Sequence, residues 1–142
     1  MDSGKKFLRI MVHLGIVLLQ LIMTQLVTLL ASFLLPDVEN FPQTHSALFA
    51  IILGITFTTG VFLTGLVAIK LGWLKIMPLL AMRLGATLAG AYLPLVIALL
   101  VYPVLEPGNP LFFIAEITSI LGFYIPGWIN KARSSGKQAL RD

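Results

Sequence analysis

The sequence predicts an all-α membrane protein, a bundle of four transmembrane helices with both ends on the cytoplasmic side. Three observations carry this. Four long apolar segments are separated by short polar ones. Charged residues make up only 11% of the 142 residues while 58% are hydrophobic, where a soluble domain carries about 25% charged residues. All ten Lys and Arg fall on one side of the four-segment pattern. So few charges cannot cover a water-soluble fold of this size, and the missing polar surface must face lipid.

The first predicted span covers residues 10–35. It follows Lys5, Lys6 and Arg9, which makes its start resemble a secretory signal. A signal's apolar region is only about 7–15 residues and ends at a small-residue cleavage site. This one runs on to Ser32-Phe33-Leu34-Leu35-Pro36, so a retained helix is expected. It exceeds the roughly 20 residues needed to cross a bilayer and should tilt or protrude. A polar loop from Pro36 to Ser46 follows. The second span covers residues 47–69. Lys70, Gly72, Trp73 and Lys75 form a short basic turn, and Pro78 suits the first turn of the next helix, where its missing N–H is not needed. The third span covers residues 79–104, with a kink expected at Pro94. Glu106-Pro107-Gly108-Asn109-Pro110 is a tight turn. The fourth span covers residues 111–129 and is closed by Pro126 and Gly127; residues 130–142 form a polar, basic tail.

Lys5, Lys6 and Arg9 precede the first span. Lys70, Lys75 and Arg83 surround the middle turn, and Lys131, Arg133, Lys137 and Arg141 follow the fourth span. The opposite loops carry Asp37, Glu39 and Glu106 without a single Lys or Arg. The positive-inside rule therefore places both termini in the cytoplasm of a multi-pass protein of the cell inner (plasma) membrane. Trp73, Tyr124 and Trp128 at one interface and Tyr102 near the other fit aromatic belts. The net charge of +4 sits beside apolar segments, where it meets lipid headgroups and not nucleic acid. With no cysteine, disulfides, thiolate metal sites and a cysteine nucleophile are excluded. The two hairpins share no alignable motif, so an inverted-repeat transporter is not indicated.

Helices in lipid associate through close packing and hydrogen bonds between them. The second span carries small residues at four-residue spacing, Thr56, Gly60, Thr64 and Ala68, with Ala50, Gly54 and Thr58 alongside. The third carries Ala81, Gly85 and Ala89, with Ala86 and Gly90 alongside. Each row lies on one helix face, and the two spans are expected to pack along them. The first span carries a polar stripe of Gln20, Thr24, Thr28 and Ser32, with Gln25 adjacent. A lipid-facing glutamine would cost several kcal/mol in unpaired amide groups, so this face should meet protein. Hydrogen bonding to other helices or to a partner subunit is the expected use; a hydrophilic pathway is the alternative.

Glu116 is the acidic residue inside a span. An intramembrane carboxylate suggests a proton or ion site. The plainer reading is a hydrogen-bonded glutamate turned toward a neighbouring helix. Arg83, near the end of its span, is expected to snorkel to the interface. His13 and His45 are candidate pigment or haem ligands, although they stand at opposite ends of the pattern. No phosphate loop, metal-spaced cluster, nucleophile elbow or carboxylate pair occurs, so an enzyme is not expected, and no cofactor is indicated by motif.

The run Ile120-Leu121-Gly122-Phe123-Tyr124-Ile125-Pro126-Gly127-Trp128-Ile129, followed by the basic stretch to Asp142, resembles the inner-membrane platform proteins of type II secretion and tight-adherence pili. There a membrane hairpin ends in a Gly-aromatic-aliphatic-Pro segment, and a basic linker leads into a cytoplasmic helical domain. The resemblance implies that the third and fourth spans are that hairpin; the sequence to Asp142 contains no counterpart of the cytoplasmic domain.

The expected function is a non-enzymatic transmembrane subunit that packs into a larger respiratory, photosynthetic, secretion or transport assembly. Its partners would be membrane lipids and other membrane subunits. The alternatives are a small oligomeric transporter or channel using Glu116 and the stripe from Gln20 to Ser32, and a relative of the secretion platform.

Overall fold

A computed structural model describes residues 3–35, 39–74, 80–102, 104–106 and 108–139. Among these described residues five helices follow in order: α1 (Ser3–Ser32), the short α2 (Phe41–Thr44), α3 (Ser46–Lys70), α4 (Leu80–Val101) and α5 (Pro110–Ala139). The four long ones are each long and apolar enough to cross a membrane. In hydrocarbon a backbone finds no water to bond, so an apolar segment must satisfy its N–H and C=O groups within itself, as a helix does. The protein is an all-α, multi-pass four-helix bundle.

The boundaries differ from expectation at both ends of the chain. α1 starts seven residues early and includes Lys5, Lys6 and Arg9. At 30 residues it is about 45 Å long, well beyond the hydrocarbon thickness. It ends at Ser32, after which Leu34 and Leu35 turn back to bond the carbonyls of Ala31 and Ser32. Expected to close the fourth span, Pro126 and Gly127 instead lie inside α5, which continues to Ala139. Proline forfeits one N–H bond, yet the helix continues through it. Gly127 is small because the Arg83 guanidinium rests where its Cβ would be. α4 likewise runs as one helix through Pro94. Pro78 and Lys75 fall outside the described residues.

Two ends are closed by local chemistry. Gly72 adopts φ +74, and the N–H groups of Trp73 and Leu74 turn back to Ala68 O at 2.9 and 3.1 Å, which ends α3. Asn109 caps α5: its Oδ1 accepts the Leu111 N–H at 2.9 Å, and Pro110 occupies the first turn.

α1 packs along α3, α3 along α4, and α4 most closely along α5; α5 touches α3 and, lightly, α1. The small residues set these contacts, with partners the sequence pattern did not assign. Gly60 receives α1, and an added Cβ would stand 2.7 Å from Thr24 Cα. Gly54 makes room for the Tyr92 ring of α4, whose hydroxyl donates to Ile51 O at 2.9 Å. Gly90 meets the Thr118 carbonyl, and Gly122 meets that of Ala86, so α4 and α5 approach backbone to backbone. Gly85 and Ala89, expected to pack on the second span, are exposed, and nothing lies within 4 Å of a Cβ built at Gly85. The reason is helical phase. α4 turns Arg83, Thr87, Ala91, Pro94, Leu95 and Ala98 inward, which leaves the Ala81, Gly85, Ala89 row outward.

The interior holds two apolar clusters. One joins Leu53, Phe57, Leu95, Leu105 and Phe112 near the loops; the other joins Ile16, Val61, Leu74, Ile120 and Phe123 near the chain ends. Where they meet, the core is polar: Gln20, Thr24, Thr87, Glu116 and Ser119 are all buried.

Candidate functional site

That polar layer is built from α1 and α5. On α1, four-residue spacing puts Gln20, Thr24 and Thr28 on one face, and the close approach at Gly60 presses this face into the bundle. On α5, Glu116, Ser119, Gly122, Phe123 and Pro126 are buried on a shared face. The two faces meet at Glu116, which is 2% exposed.

Each carboxylate oxygen has its own partner from α1. Gln25 Nε2 donates to Oε2 at 2.8 Å, and the Thr24 hydroxyl contacts Oε1. Thr24 Oγ1 also lies 2.8 Å from Leu21 O. A threonine hydroxyl has one proton to give and two lone pairs to accept with. With Glu116 ionised, Thr24 donates to the carboxylate. With Glu116 protonated, the acid donates to Thr24 and Thr24 donates to Leu21 O. One hydroxyl rotation therefore serves both protonation states without moving a helix.

The stripe continues outward. Thr28 Oγ1 donates to Thr24 O at 2.8 Å and lies 3.0 Å from Thr56 Oγ1 of α3. One turn the other way, Gln20 Nε2 donates to Val61 O at 3.2 Å, while its Oε1 is buried with no hydrogen-bond donor among the described residues. Ser119 is spent locally, donating to Glu116 O at 2.6 Å. A cleft of about 480 Å³ leads to Glu116 from the loop end of the bundle, between Gln25, Thr28 and Ser32 of α1, Phe49 and Phe57 of α3, and Asn109 and Phe113 of α5.

Arg83 was expected at the interface and is instead 3% exposed. Its Nη1 donates to Phe123 O at 2.6 Å, and its guanidinium lies 5.6 Å from the Phe123 ring centre. Phe123 is seven residues beyond Glu116, about 10 Å along α5, so Arg83 and Glu116 occupy different levels. The cause is the tight α4–α5 contact, which leaves Arg83 facing a carbonyl and an aromatic face that can each receive a cation.

His13 is exposed on α1 and borders a separate, apolar groove. His45 is exposed at the loop end, stacked on Phe41 with ring centres 5.1 Å apart and bonded to Thr44. The bundle does not bring these histidines together. Among the described residues, no group of three or more His, Asp or Glu could hold a metal ion.

Sequence reasoning joined Glu116 and the α1 stripe only within the transport reading and missed the direct pairing of Glu116 with Thr24 and Gln25. It passed over Gln25 as a neighbour of the stripe. The buried faces of α5 and α4 were legible in principle from the 3/4 spacing of Glu116, Ser119, Gly122, Pro126 and of Arg83, Thr87, Ala91. No family model matches the chain, and no curated protein or solved structure matches it. The resemblance of residues 120–129 to secretion platforms therefore stands on those residues alone.

Proposed function

We propose that this protein is a small, oligomeric membrane transporter or channel in which Glu116 takes up and releases a proton or a small cation. The observation that supports it most is the Thr24 hydroxyl shared between Glu116 and Leu21 O, because it accommodates either state of the carboxyl group at the end of a cleft. An intramembrane carboxylate is costly and is usually retained for use. In this reading both termini lie in the cytoplasm of the inner (plasma) membrane, which the segregation of Lys and Arg favours, and the cleft faces the opposite side.

The test is flux in proteoliposomes. The purified chain should pass protons or a monovalent cation down an imposed gradient. Glu116→Gln keeps the hydrogen-bonding shape and removes the titrating group, and it should reduce that flux by tenfold or more, about 1.4 kcal/mol at the barrier, with oligomeric state unchanged. Equal flux through wild type and Glu116→Gln defeats the reading.

A second reading is supported by a different observation. The outward Ala81, Gly85, Ala89 row of α4 has the spacing with which membrane helices approach closely. A non-enzymatic subunit of a larger membrane assembly would use it to dock a partner helix. Mild-detergent purification with mass spectrometry separates the two: a stoichiometric foreign partner favours the subunit, and a homo-oligomer favours the transporter.

A further inference from the structure

A second cavity separates the other halves of α1 and α5. It is a groove of about 420 Å³, walled by Ile10, His13 and Leu14 of α1 and by Leu121, Tyr124 and Trp128 of α5. Its lining is almost wholly apolar. Because α1 touches α5 only lightly, the groove lies open along the side of the bundle, where Leu14 and Trp128 are half exposed or more. A side opening at this depth faces lipid and not water. Its size falls within the usual range of small-ligand sites.

Both walls run into a cation at the same end. Lys6 lies four residues before Ile10, one turn further along the same face of α1. Lys131 lies three residues after Trp128 and seven after Tyr124, again on the groove face. Both lysines are exposed. At about 100° per residue, Lys5 and Arg133 stand on the far sides of their helices. The groove thus pairs an apolar slot with a lysine on the groove face of each flanking helix at the same end, which is the complement of a molecule with an anionic head and a hydrocarbon chain.

We propose that this groove holds one acyl chain of an anionic phospholipid, with the phosphate between Lys6 and Lys131 and His13 at the rim. The bilayer around the protein supplies this ligand. Trp128 suits the boundary between chain and headgroup. The bound chain would fill the seam that α1 and α5 leave open.

The experiment is native mass spectrometry of the full chain in mild detergent, titrated with phosphatidylglycerol or phosphatidylcholine bearing the same acyl chains. The first phosphatidylglycerol should bind about twenty-fivefold more tightly than phosphatidylcholine, at roughly fivefold for each of the two lysines engaged. The double variant Lys6→Gln/Lys131→Gln should abolish that preference. Lys5→Gln/Arg133→Gln removes the same charge from the opposite faces and should keep it. Leu14→Trp fills the slot and should weaken retention of both lipids. Equal retention of the two lipids by wild type overturns the proposal. So do equal effects of the two charge-matched double variants, or full retention by Leu14→Trp. Tighter retention of a free fatty acid than of phosphatidylglycerol would also overturn the phospholipid assignment.

Discussion

Thr24 illustrates how one side chain can matter more than its size suggests. Its backbone sits against Gly60, and its hydroxyl stands between Glu116 and Leu21 O. Thr24→Val keeps the shape and removes the hydroxyl, so a buried carboxyl oxygen loses its hydrogen-bond partner. The expected cost is about 1–3 kcal/mol in a denaturant titration of the detergent-solubilised protein, with Thr24→Ser close to wild type. A Val variant as stable as wild type would mean that Thr24 contributes packing alone. Glu116 was recognisable in the sequence as an acid within an apolar span, and the α1 stripe as a face that needed protein. Their pairing was not recognisable, because it joins residues 91 and 92 positions apart, and the local pattern gives only the phase of each helix. Arg83 misled for a related reason. Near a helix end, a long cation can reach water or turn inward, and the choice depends on what the next helix offers.

Each helix offers several faces of small residues, and phase decides which one is used. Gly60 and Gly85 make the contrast measurable. A valine at Gly60 would drive its Cβ into the Thr24 backbone and should destabilise the bundle by about 1–3 kcal/mol. A valine at Gly85 meets nothing within the chain and should leave monomer stability within about 0.5 kcal/mol of wild type. If the outward row joins subunits, Gly85→Val should instead weaken the oligomer in cross-linking, which tests that row without disturbing the fold. The elements also differ in how firmly they are held. α4 and α5 touch backbone to backbone at Gly90 and Gly122, whereas in α1 only Ile16, Gln20 and Thr24 are fully buried. Hydrogen exchange followed by mass spectrometry should show the first three turns of α1 exchanging well before the centre of α4. Greater protection in α1 than in α4 would contradict this ranking.

At the scale of the whole molecule, α1 and α5 are antiparallel neighbours joined mainly through Glu116, with a polar cleft on one side of that junction and an apolar groove on the other. The two cavities differ in chemistry: one reaches the carboxyl group, the other suits a lipid chain. Orientation is testable directly because the chain has no cysteine. Single cysteines placed at Ser3 and Ser135 should be protected from a membrane-impermeant thiol reagent in intact cells, while those at Asn40 and Asn109 should react. The reverse pattern would invert the topology and turn the cleft toward the cytoplasm.

The sequence by itself determined the all-α class, the four spans and the segregation of positive charge, because each follows from composition and local periodicity in a solvent that cannot bond the backbone. It also marked Glu116, Gln20, Thr24 and Thr28 as side chains that lipid would penalise. Only the tertiary structure decided which helix answers each of them, that Gly60 admits α1 while Gly85 faces outward, that Arg83 turns inward, and that α5 runs through Pro126 to Ala139. Those outcomes depend on the rotation and register of helices far apart in sequence, which packing fixes and no single segment encodes.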